Sequence, residues 1–477
     1  MPRIEAAIAI IFLIPPICAH AQALAMNCDG HQIKQEKFVC QRVIAGQDAN
    51  FEGQQEYGSE LTDERRILTP KFLKVLLSAP RIPDHGVRII GARFKEAINL
   101  ENAVLQRELW IYKSLLEQGA NLSGLTAPYL ISFDGSTIRG LLNLSGIQAT
   151  GDLSIARATT PEHTVYLGGG TYIRGNLNLK GSKIKTINMD DIHVDGNLIM
   201  GDGNFNEVAL KGAQIKGDLD LSKSTITDAA GIRMDGIHVD GNLNMGSGNF
   251  TAIDLKSAQI KGDLDLSKST FNGGLNLTGA RIDDLLLVGI VPKGPTTVFT
   301  NLSFSKANFG PGPILMLKML SQQPQDLGFS SQNYATLAKS YSDLGLPDTA
   351  RQILIEKETA EFKHSDFWNR IWLWFIWLFA GYGYRPEVTL AWIVGFVLVG
   401  AFIFKTGEDR LVAGRPPSSW LIFALDSVIP GIHLNKDHDD VAFAGGRQYF
   451  LYFLRFLGAV VIFVVLALLK RTLFEAS

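Results

Sequence analysis

The stretch IHVDGNLIMGDGNFNEVALKGAQIKGDLDLSKSTI, residues 192–226, returns at residues 237–271 as IHVDGNLNMGSGNFTAIDLKSAQIKGDLDLSKSTF, with 27 of 35 positions identical. In both copies apolar residues recur as pairs at i and i+2, such as Leu198 and Met200. Such a pair puts two side chains on one face of a short strand. A helix does not explain the pattern, because Gly, Asn, Asp and Lys occupy the i+3 and i+4 positions. Four pairs span about 21 residues, which predicts the four-sided coils of a parallel β-solenoid.

The paired pattern extends over residues 87–312 and predicts a mainly β fold of about ten stacked coils. The hydrogen-bonding edges at both ends of such a stack need covering against edge-to-edge association. Thr69-Pro70 ahead of KFLKVLLSA is typical of a helix start, so we expect a capping helix in an N-terminal segment at 24–86. The segment PILMLKML, from Pro313, predicts a second cap.

The N-terminus has the pattern of an export signal. A short charged start is followed by an apolar run and small residues, which predicts a cleavable signal peptide at 1–23. An uncleaved N-terminal anchor is the alternative. Export would favour a disulfide between Cys28 and Cys40, and two unpaired thiols are the other interpretation.

The chain after the solenoid is predicted to be α-helical. SQNYATLAKSYSDLGLPDTARQILIEKE predicts two antiparallel helices, separated by Gly345, in a spacer over residues 313–365. Within the predicted transmembrane region 366–477, the apolar runs Val388–Phe404 and Tyr449–Leu469 are each long enough to cross a bilayer. The tryptophan-rich run DFWNRIWLWFIWLFAGYGYRP is either an interfacial helix or a third crossing.

Two charged residues interrupt these apolar segments. Arg455 lies within the last run, and Asp426 lies in SSWLIFALDSVIPGIHLNKDHDD, which is too short to cross a bilayer. A carboxylate at membrane depth must face protein, water or an ion, since leaving it in lipid costs about 2.5 kcal/mol or more. Asp426 is therefore a candidate polar residue of a re-entrant loop. The alternative is an amphipathic helix on the membrane surface, with Asp426 in water.

Composition and motifs exclude several classes of function. Lys and Arg number 45, Asp and Glu number 47, and no positive stripe is visible, so we expect no nucleic-acid partner. The sequence contains no P-loop, GxSxG, HExxH or CxxC motif, and no glycine-rich run follows a strand and opens a helix. We therefore assign no catalytic, cofactor-binding or metal-binding residue.

One predicted surface patch carries histidine and aspartate side chains of the kind that polysaccharide-cleaving β-helices use. MDDIHVD, from Met189, recurs as MDGIHVD, from Met234, and puts two histidines at equivalent positions about 10 Å apart in a stack of coils. The patch residues are Asp190, Asp191, His193, Asp195, His238 and Asp240. Duplication alone explains the recurrence, so a solvated polar face is the simpler interpretation.

The repeats resemble those of the pentapeptide-repeat superfamily, in which A(D/N)LxX units stack into four-sided, right-handed parallel β-helices. The alanines that match the small inward residue of that motif are Ala92, Ala103, Ala120, Ala213, Ala258, Ala280 and Ala307. The chain departs from the motif by alternating five- and six-residue steps, as in AQIKGDLDL. The resemblance implies a right-handed β-helix.

The whole chain also resembles a loosely defined group of bacterial membrane proteins that combine a repeat rod with C-terminal membrane helices. The residues that carry this resemblance are the GYGYRP element, Gly381–Pro386, and the LDSVIPGI element, Leu425–Ile432. Some members of that group are labelled membrane-associated oxidoreductases.

These features predict a membrane-anchored scaffold, sensor or interaction protein of the bacterial inner membrane, with its β-helix in the periplasm. The expected partners are the lipid bilayer and a protein or cell-wall component on the β-helix faces. One alternative is an oligomeric channel or transport-associated protein, a homo-oligomer with a pore near Asp426. A second alternative is an enzyme, either a membrane-associated oxidoreductase or a carbohydrate-active β-helix.

Overall fold

The computed structural model describes most of the chain in two compact units, Met1–Thr227 and Asp228–Ser477. The described residues are 28, 33–79, 82–289, 291–292, 297–298, 302–308, 317, 320, 331–407, 411–414, 416–429, 435, 438 and 440–475. The predicted signal peptide and most of the cap predicted from Pro313 lie outside these residues.

The described strands form a parallel β-solenoid of about ten turns, which confirms the predicted mainly β fold. In the first unit the strands are Ala49–Asn50, Val87–Ile90, Arg93–Phe94, Ile98–Asn99, Leu109–Tyr112, Leu115–Leu116, Ala120–Asn121, Thr126–Ala127, Ile131–Ser132, Thr137–Ile138, Leu142–Asn143, Gln148–Ala149, Leu153–Ser154, Thr159–Tyr166, Tyr172–Ile173, Leu177–Asn178, Lys183–Asn188, His193–Val194, Leu198–Ile199, Asn204–Ala209, Gln214–Ile215, Leu219–Asp220 and Thr225–Ile226. In the second unit they are Ile232–Arg233, His238–Val239, Leu243–Asn244, Asn249–Phe250, Ile253–Asp254, Gln259–Asp265, Thr270–Phe271, Leu275–Asn276, Arg281–Leu286, Val291–Pro292, Thr297–Val298 and Ser303–Asn308, followed by the antiparallel pair Leu411–Ala413 and Ala442–Phe443.

The strand register reproduces the repeat seen in the sequence. In the first unit Leu177 pairs with Leu198, and Leu198 with Leu219, so successive coils there lie 21 residues apart. The second unit has the same spacing, with Leu243 paired to Leu264 and Leu264 to Leu285. These leucines are fully buried, and burial of each such side chain contributes about 1.5–3 kcal/mol to stability.

Polar residues of the repeat are used by the backbone of the coils. Between the two inward residues of each pair lies one outward residue. Its side chain can accept a hydrogen bond from the backbone amide two residues later, as Asp220 does from Ser222 at 2.9 Å and Asp265 does from Ser267 at 2.7 Å. This Asx turn explains why Asn and Asp alternate with leucine in the strands. An inward serine at the corner is also satisfied, since the Ser224 hydroxyl donates to the Met200 carbonyl at 2.8 Å.

One predicted pair does not fit the regular coil. Ala103 is only half-buried, and the neighbouring Val104 is 61% exposed, although Leu105 points inward as expected. Here the chain makes a single β-bridge, from Val104 to Thr126, instead of a two-residue strand. The inward pattern therefore predicts the burial of Leu105 but not the strand pairing of this coil.

The N-terminal segment packs on the first coil of its unit. Helix α1 is Lys34–Ile44 and helix α2 is Pro70–Leu77, with 3-10 turns at Gln55–Tyr57 and Glu64–Arg66. The Thr69 hydroxyl accepts from the Phe72 amide at 3.2 Å, so the predicted N-cap of α2 is present. A disulfide joins Cys28 to Cys40 across a Cα–Cα distance of 5.6 Å.

A buried arginine fastens this segment to the solenoid. Arg66 is 2% exposed, and its guanidinium donates to the carbonyls of Tyr57 at 3.0 Å, Gly58 at 2.5 Å and Gly91 at 3.2 Å. Gly91 follows the first strand of the solenoid, so one side chain links two 3-10 turns to the first coil. Strand Ala49–Asn50 pairs in parallel with that same first strand.

The C-terminal part of the second unit is helical. Its helices are α3 (Ser331–Asp343), α4 (Pro347–His364), α5 (Phe367–Ala380), α6 (Pro386–Lys405), α7 (Trp420–Val428) and α8 (Gly446–Glu475), with a 3-10 turn at Gly381–Gly383. Helices α3 and α4 pack against each other as the predicted hairpin, and Gly345 between them has a φ of +77°.

One helix in the described part of the chain is long and apolar enough to cross a membrane. It covers Glu387–Lys405, within α6, and corresponds to the first predicted crossing. The second predicted crossing, Tyr449–Leu469, lies within α8, but most of its side chains beyond Phe463 are outside the described residues.

Candidate functional site

The short helix α7 is held between α6 and α8 in the second unit. Its sequence, WLIFALDSV, is apolar apart from Asp426 and Ser427, and the helix ends one residue before Ile429-Pro430, where proline prevents its continuation. A buried apolar cluster, here called the α7 core, joins the three helices. Its members are Val397, Phe404, Phe423, Ala424, Val428, Val441, Phe443, Leu451 and Leu454.

Two glycines permit this close packing. A Cβ on Gly400 of α6 would lie 3.3 Å from the Ala424 Cβ and 3.0 Å from Leu454. A Cβ on Gly458 of α8 would overlap the backbone carbonyl of Val428, the last residue of α7. The C-terminal end of α7 therefore touches the α8 backbone directly, which fixes the depth and direction of the Asp426 side chain.

Asp426 forms a buried pair with His438. The His438 Nδ1 lies 2.9 Å from the Asp426 Oδ2, and the side chains are 4% and 5% exposed, respectively. The imidazole packs edge-on against Phe423 of the α7 core, with ring centroids 5.4 Å apart. The alternative in which Asp426 points into water is therefore wrong.

The other nitrogen of His438 has no such partner. Nε2 is buried and makes no hydrogen bond within the described part of the chain. Because the carboxylate accepts from Nδ1–H, the neutral ring leaves a lone pair on Nε2. A second proton would put an N–H donor into an apolar surrounding but would also pair the ring charge with the carboxylate.

Half of this site was predicted from the sequence, namely Asp426, whereas His438 lies twelve residues later in the same segment and was not predicted. The signal that could have pointed to it is that a carboxylate in an apolar segment needs a donor, and the segment contains two histidines, His433 and His438, which can be buried as neutral groups. Arg455, the other polar candidate, is exposed on α8, whereas the Asp426 side chain is buried.

In the first unit the structure brings His193 and Asp195 together with two residues that the sequence analysis did not select. The His193 Nε2 lies 3.0 Å from the Asp195 Oδ1, the Lys216 Nζ lies 2.7 Å from the same oxygen, and the Tyr172 hydroxyl donates to Oδ2 at 2.6 Å. The Lys216 ammonium and then the Tyr172 hydroxyl hold the pKa of the Asp195 carboxyl below its usual range.

The two preceding aspartates stand apart from this group. Asp190 accepts a hydrogen bond from the Lys211 amide at 2.8 Å, and Asp191 is an exposed corner residue with a φ of +56°. Both are therefore used by the coil itself. The predicted patch reduces in this unit to His193 and Asp195.

The second unit contains the equivalent pair, His238 and Asp240. The imidazole Nε2 lies 2.9 Å from the Asp240 Oδ1, and the Lys261 Nζ lies 2.7 Å from the same oxygen. Lys261 lowers the pKa of Asp240, as Lys216 does for Asp195. A carboxylate stabilised by a lysine and a histidine is a weak base, so these surface groups are poorly suited to general acid–base work.

No group of three or more His, Cys, Asp or Glu side chains within the described ranges could hold a metal ion. No protein-family model matches the chain, and a search of curated proteins finds no match. The pentapeptide-repeat and membrane-protein resemblances therefore stay predictions. What the fold itself defines is a parallel β-solenoid protein with a helical C-terminal region.

Proposed function

We propose that this protein is a membrane-anchored β-solenoid scaffold, whose C-terminal helices lie in a bacterial inner membrane while its coils face the periplasm. The observation that carries the proposal is the exposed apolar surface of α5, α6 and α8. Leu390 is 62% exposed, Phe402 69% and Phe456 67%, and four tryptophans of α5 are between 49% and 76% exposed. A surface of this kind in water would drive association, so a bilayer is the expected surrounding.

The distribution of these side chains supports a bilayer over a protein interior. Only 17% of the apolar window in α6 is buried, whereas a core helix of a soluble protein would be mostly buried. The tryptophans lie on α5, next to the turn that leads into α6. Tryptophan is enriched where apolar and polar surroundings meet, so α5 would lie at the membrane interface.

The scaffold part of the proposal follows from how the coils use their polar groups. Outward Asn and Asp side chains bond to their own backbone, and the two His–Asp pairs are neutralised by lysine. The polar groups on such faces are already hydrogen-bonded or ion-paired, and a rigid surface of this kind suits binding of a protein or cell-wall partner. We take the coils as four-sided and similar to pentapeptide repeats, since four apolar pairs fill each 21-residue turn.

Fractionation followed by labelling tests this proposal. The full chain should stay in the membrane pellet after an alkaline carbonate wash and require detergent for release. In a Cys18→Ser background, a cysteine at the exposed Lys185 should react with an impermeant maleimide in intact cells, and one at Val412 should react only after lysis. Recovery of the protein in the aqueous fraction would contradict the anchoring, and labelling of Lys185→Cys only after lysis would contradict the orientation.

A second candidate function is proton-linked or ion transport through an oligomer with its pore near Asp426. The buried Asp426–His438 pair favours it, because ionisable groups at membrane depth mark ion and proton pathways. Reconstituted liposomes would be assayed for proton flux with the native chain and with Asp426→Asn. Flux lost in the variant would support transport. A strict monomer in detergent together with equal flux in both would contradict it.

A further inference from the structure

A cavity of about 250 Å³ lies where helices α4, α5 and α6 meet. It opens beside the exposed tryptophan surface of α5, since Trp377 belongs to both. The residues that matter for its chemistry are Ile355, Thr359, Trp377, Leu378, Tyr382 and Arg385. The walls are mostly apolar, and Arg385 supplies the positive charge.

The frame of this cavity is fixed by side-chain hydrogen bonds between α5 and α6. The Trp392 indole donates to the Leu378 carbonyl at 2.8 Å, and the Thr389 hydroxyl donates to the Phe379 carbonyl at 3.0 Å. Between the two helices Tyr382 has a φ of +61°, a conformation that is uncommon outside glycine and is kept only where the surroundings impose it. The cavity is thus a formed feature of the turn.

The guanidinium of Arg385 is free to bind a ligand. It is exposed and makes no hydrogen bond or ion pair with any residue that the structure describes. Among the residues that line the cavity, Arg385 alone carries a formal charge. The Arg385 stem lies against Gly381, where an added Cβ would come within 2.7 Å of the Arg385 Cβ.

We propose that this cavity binds the head group of an anionic phospholipid, with the phosphate on Arg385 and the glycerol and upper acyl chain against Trp377 and Leu378. The inference rests on the proposed placement of α5 and α6 at the bilayer. Guanidinium groups bind phosphate through paired, charge-assisted hydrogen bonds, and an unpaired cation next to an interfacial tryptophan is where a lipid head group would lie. The apolar walls match the part of the lipid just below the phosphate.

The test is lipid titration of the detergent-purified full chain, read by native mass spectrometry. Phosphatidylglycerol and phosphatidylcholine are compared on the native protein, Arg385→Ala and Arg370→Ala. Arg370 is the matched control, since it is a nearby α5 arginine whose guanidinium donates to the Ser365 carbonyl and does not line the cavity. We expect about tenfold tighter phosphatidylglycerol binding by the native protein and by Arg370→Ala, and equal binding of both lipids by Arg385→Ala.

A second variant guards against misfolding of Arg385→Ala. Thr359→Phe fills the cavity, keeps Arg385 and breaks only a hydrogen bond to the Ile355 carbonyl within α4. It should weaken phosphatidylglycerol binding about tenfold. Unchanged lipid preference in Arg385→Ala, equal loss in Arg370→Ala, or full displacement of the lipid by glycerol phosphate would overturn the proposal. A protein that is already soluble without detergent would instead contradict the membrane anchoring, before any titration is made.

Discussion

Two regions of this molecule contain the same chemical pair in opposite surroundings. On the coils, His193 lies 3.0 Å from Asp195, with side chains 28% and 23% exposed. In the helical region, His438 lies 2.9 Å from Asp426, with side chains 4% and 5% exposed. The distances are nearly equal, although His193 uses Nε2 and His438 uses Nδ1. The difference in solvent exposure decides how much each pair contributes to the free energy of unfolding when one partner is removed.

The partners differ as well. The solvated carboxylate is also bound by Lys216 and Tyr172, so its negative charge is balanced on several sides. The buried imidazole has a nitrogen with no hydrogen bond in the described part of the chain. A buried polar atom without a hydrogen bond is costly. The buried pair is therefore expected to be more sensitive than the solvated pair to the loss of one partner.

The largest effect should come from breaking the buried pair. Asp426→Ala leaves the His438 ring buried without its acceptor, and we expect the free energy of unfolding to fall by about 3 kcal/mol. Asp195→Ala should have a much smaller effect, because water can solvate the partly exposed His193 and Lys216 side chains that lose their acceptor. Thermal unfolding of the detergent-purified proteins measures both. Equal losses in the two variants would show that burial does not separate the pairs.

The second-largest effect should come from the contact between Gly458 of α8 and the Val428 carbonyl at the end of α7, next to the buried pair. Gly458→Ala puts a methyl group against the Val428 carbonyl and should destabilise the protein by about 2 kcal/mol through overpacking. Gly395→Ala is the matched control on α6, where an added Cβ meets no atom within 4 Å. That control should gain up to about 1 kcal/mol from helix propensity. A fall in the free energy of unfolding in both variants would contradict the close approach of α7 and α8.

A smaller effect is expected for a buried polar side chain of the coils. Ser224→Ala leaves the Met200 carbonyl without its hydroxyl donor and should cost about 1 kcal/mol. Ser222→Ala, in the same coil, removes a half-exposed hydroxyl and should be close to neutral. The same thermal assay applies. A loss as large as that of Asp426→Ala would show that the coils depend on buried polar groups as much as the helices do.

The smallest effect should depend on pH. The folded-state pKa of Asp195 lies below its unfolded value, so the interaction stabilises the folded protein above about pH 4 and is lost as the pH falls through the folded value. Asp195→Asn should therefore lower the unfolding temperature slightly at pH 7 and not at strongly acidic pH. Unfolding scans of both proteins across this range check the sign. A difference that grows toward acidic pH would contradict it.

The fold of the coils was predictable because the same pattern, two inward apolar residues at i and i+2, recurs many times along the chain. The 21-residue spacing and the buried leucines follow directly from that pattern. The departure at Val104 was not predictable, since the inward residue Leu105 follows the same pattern as in the regular coils. Local alternation therefore predicts which side chains are buried better than it predicts where strands pair.

The candidate site was only half predictable for a different reason. Asp426 is conspicuous because it interrupts an apolar run, whereas His438 lies in a polar segment where a histidine is ordinary. What joins them is the return of the chain after α7 together with the glycine contacts on α6 and α8. Such contacts depend on tertiary packing, which no sequence period records.

The N-terminal segment has a consequence for how this solenoid ends. Strand Ala49–Asn50 takes the hydrogen bonds of one side of the first coil, the bridge from Ile67 to Arg93 takes part of another, and buried Arg66 keeps both in place. The open edge of a stack of similar coils can pair with a coil of another chain, and the N-terminal segment covers that edge at one end. A chain clipped before residue 87 would expose the backbone carbonyls of Ile90, Gly91 and Arg93, and edge-to-edge association into filaments would follow.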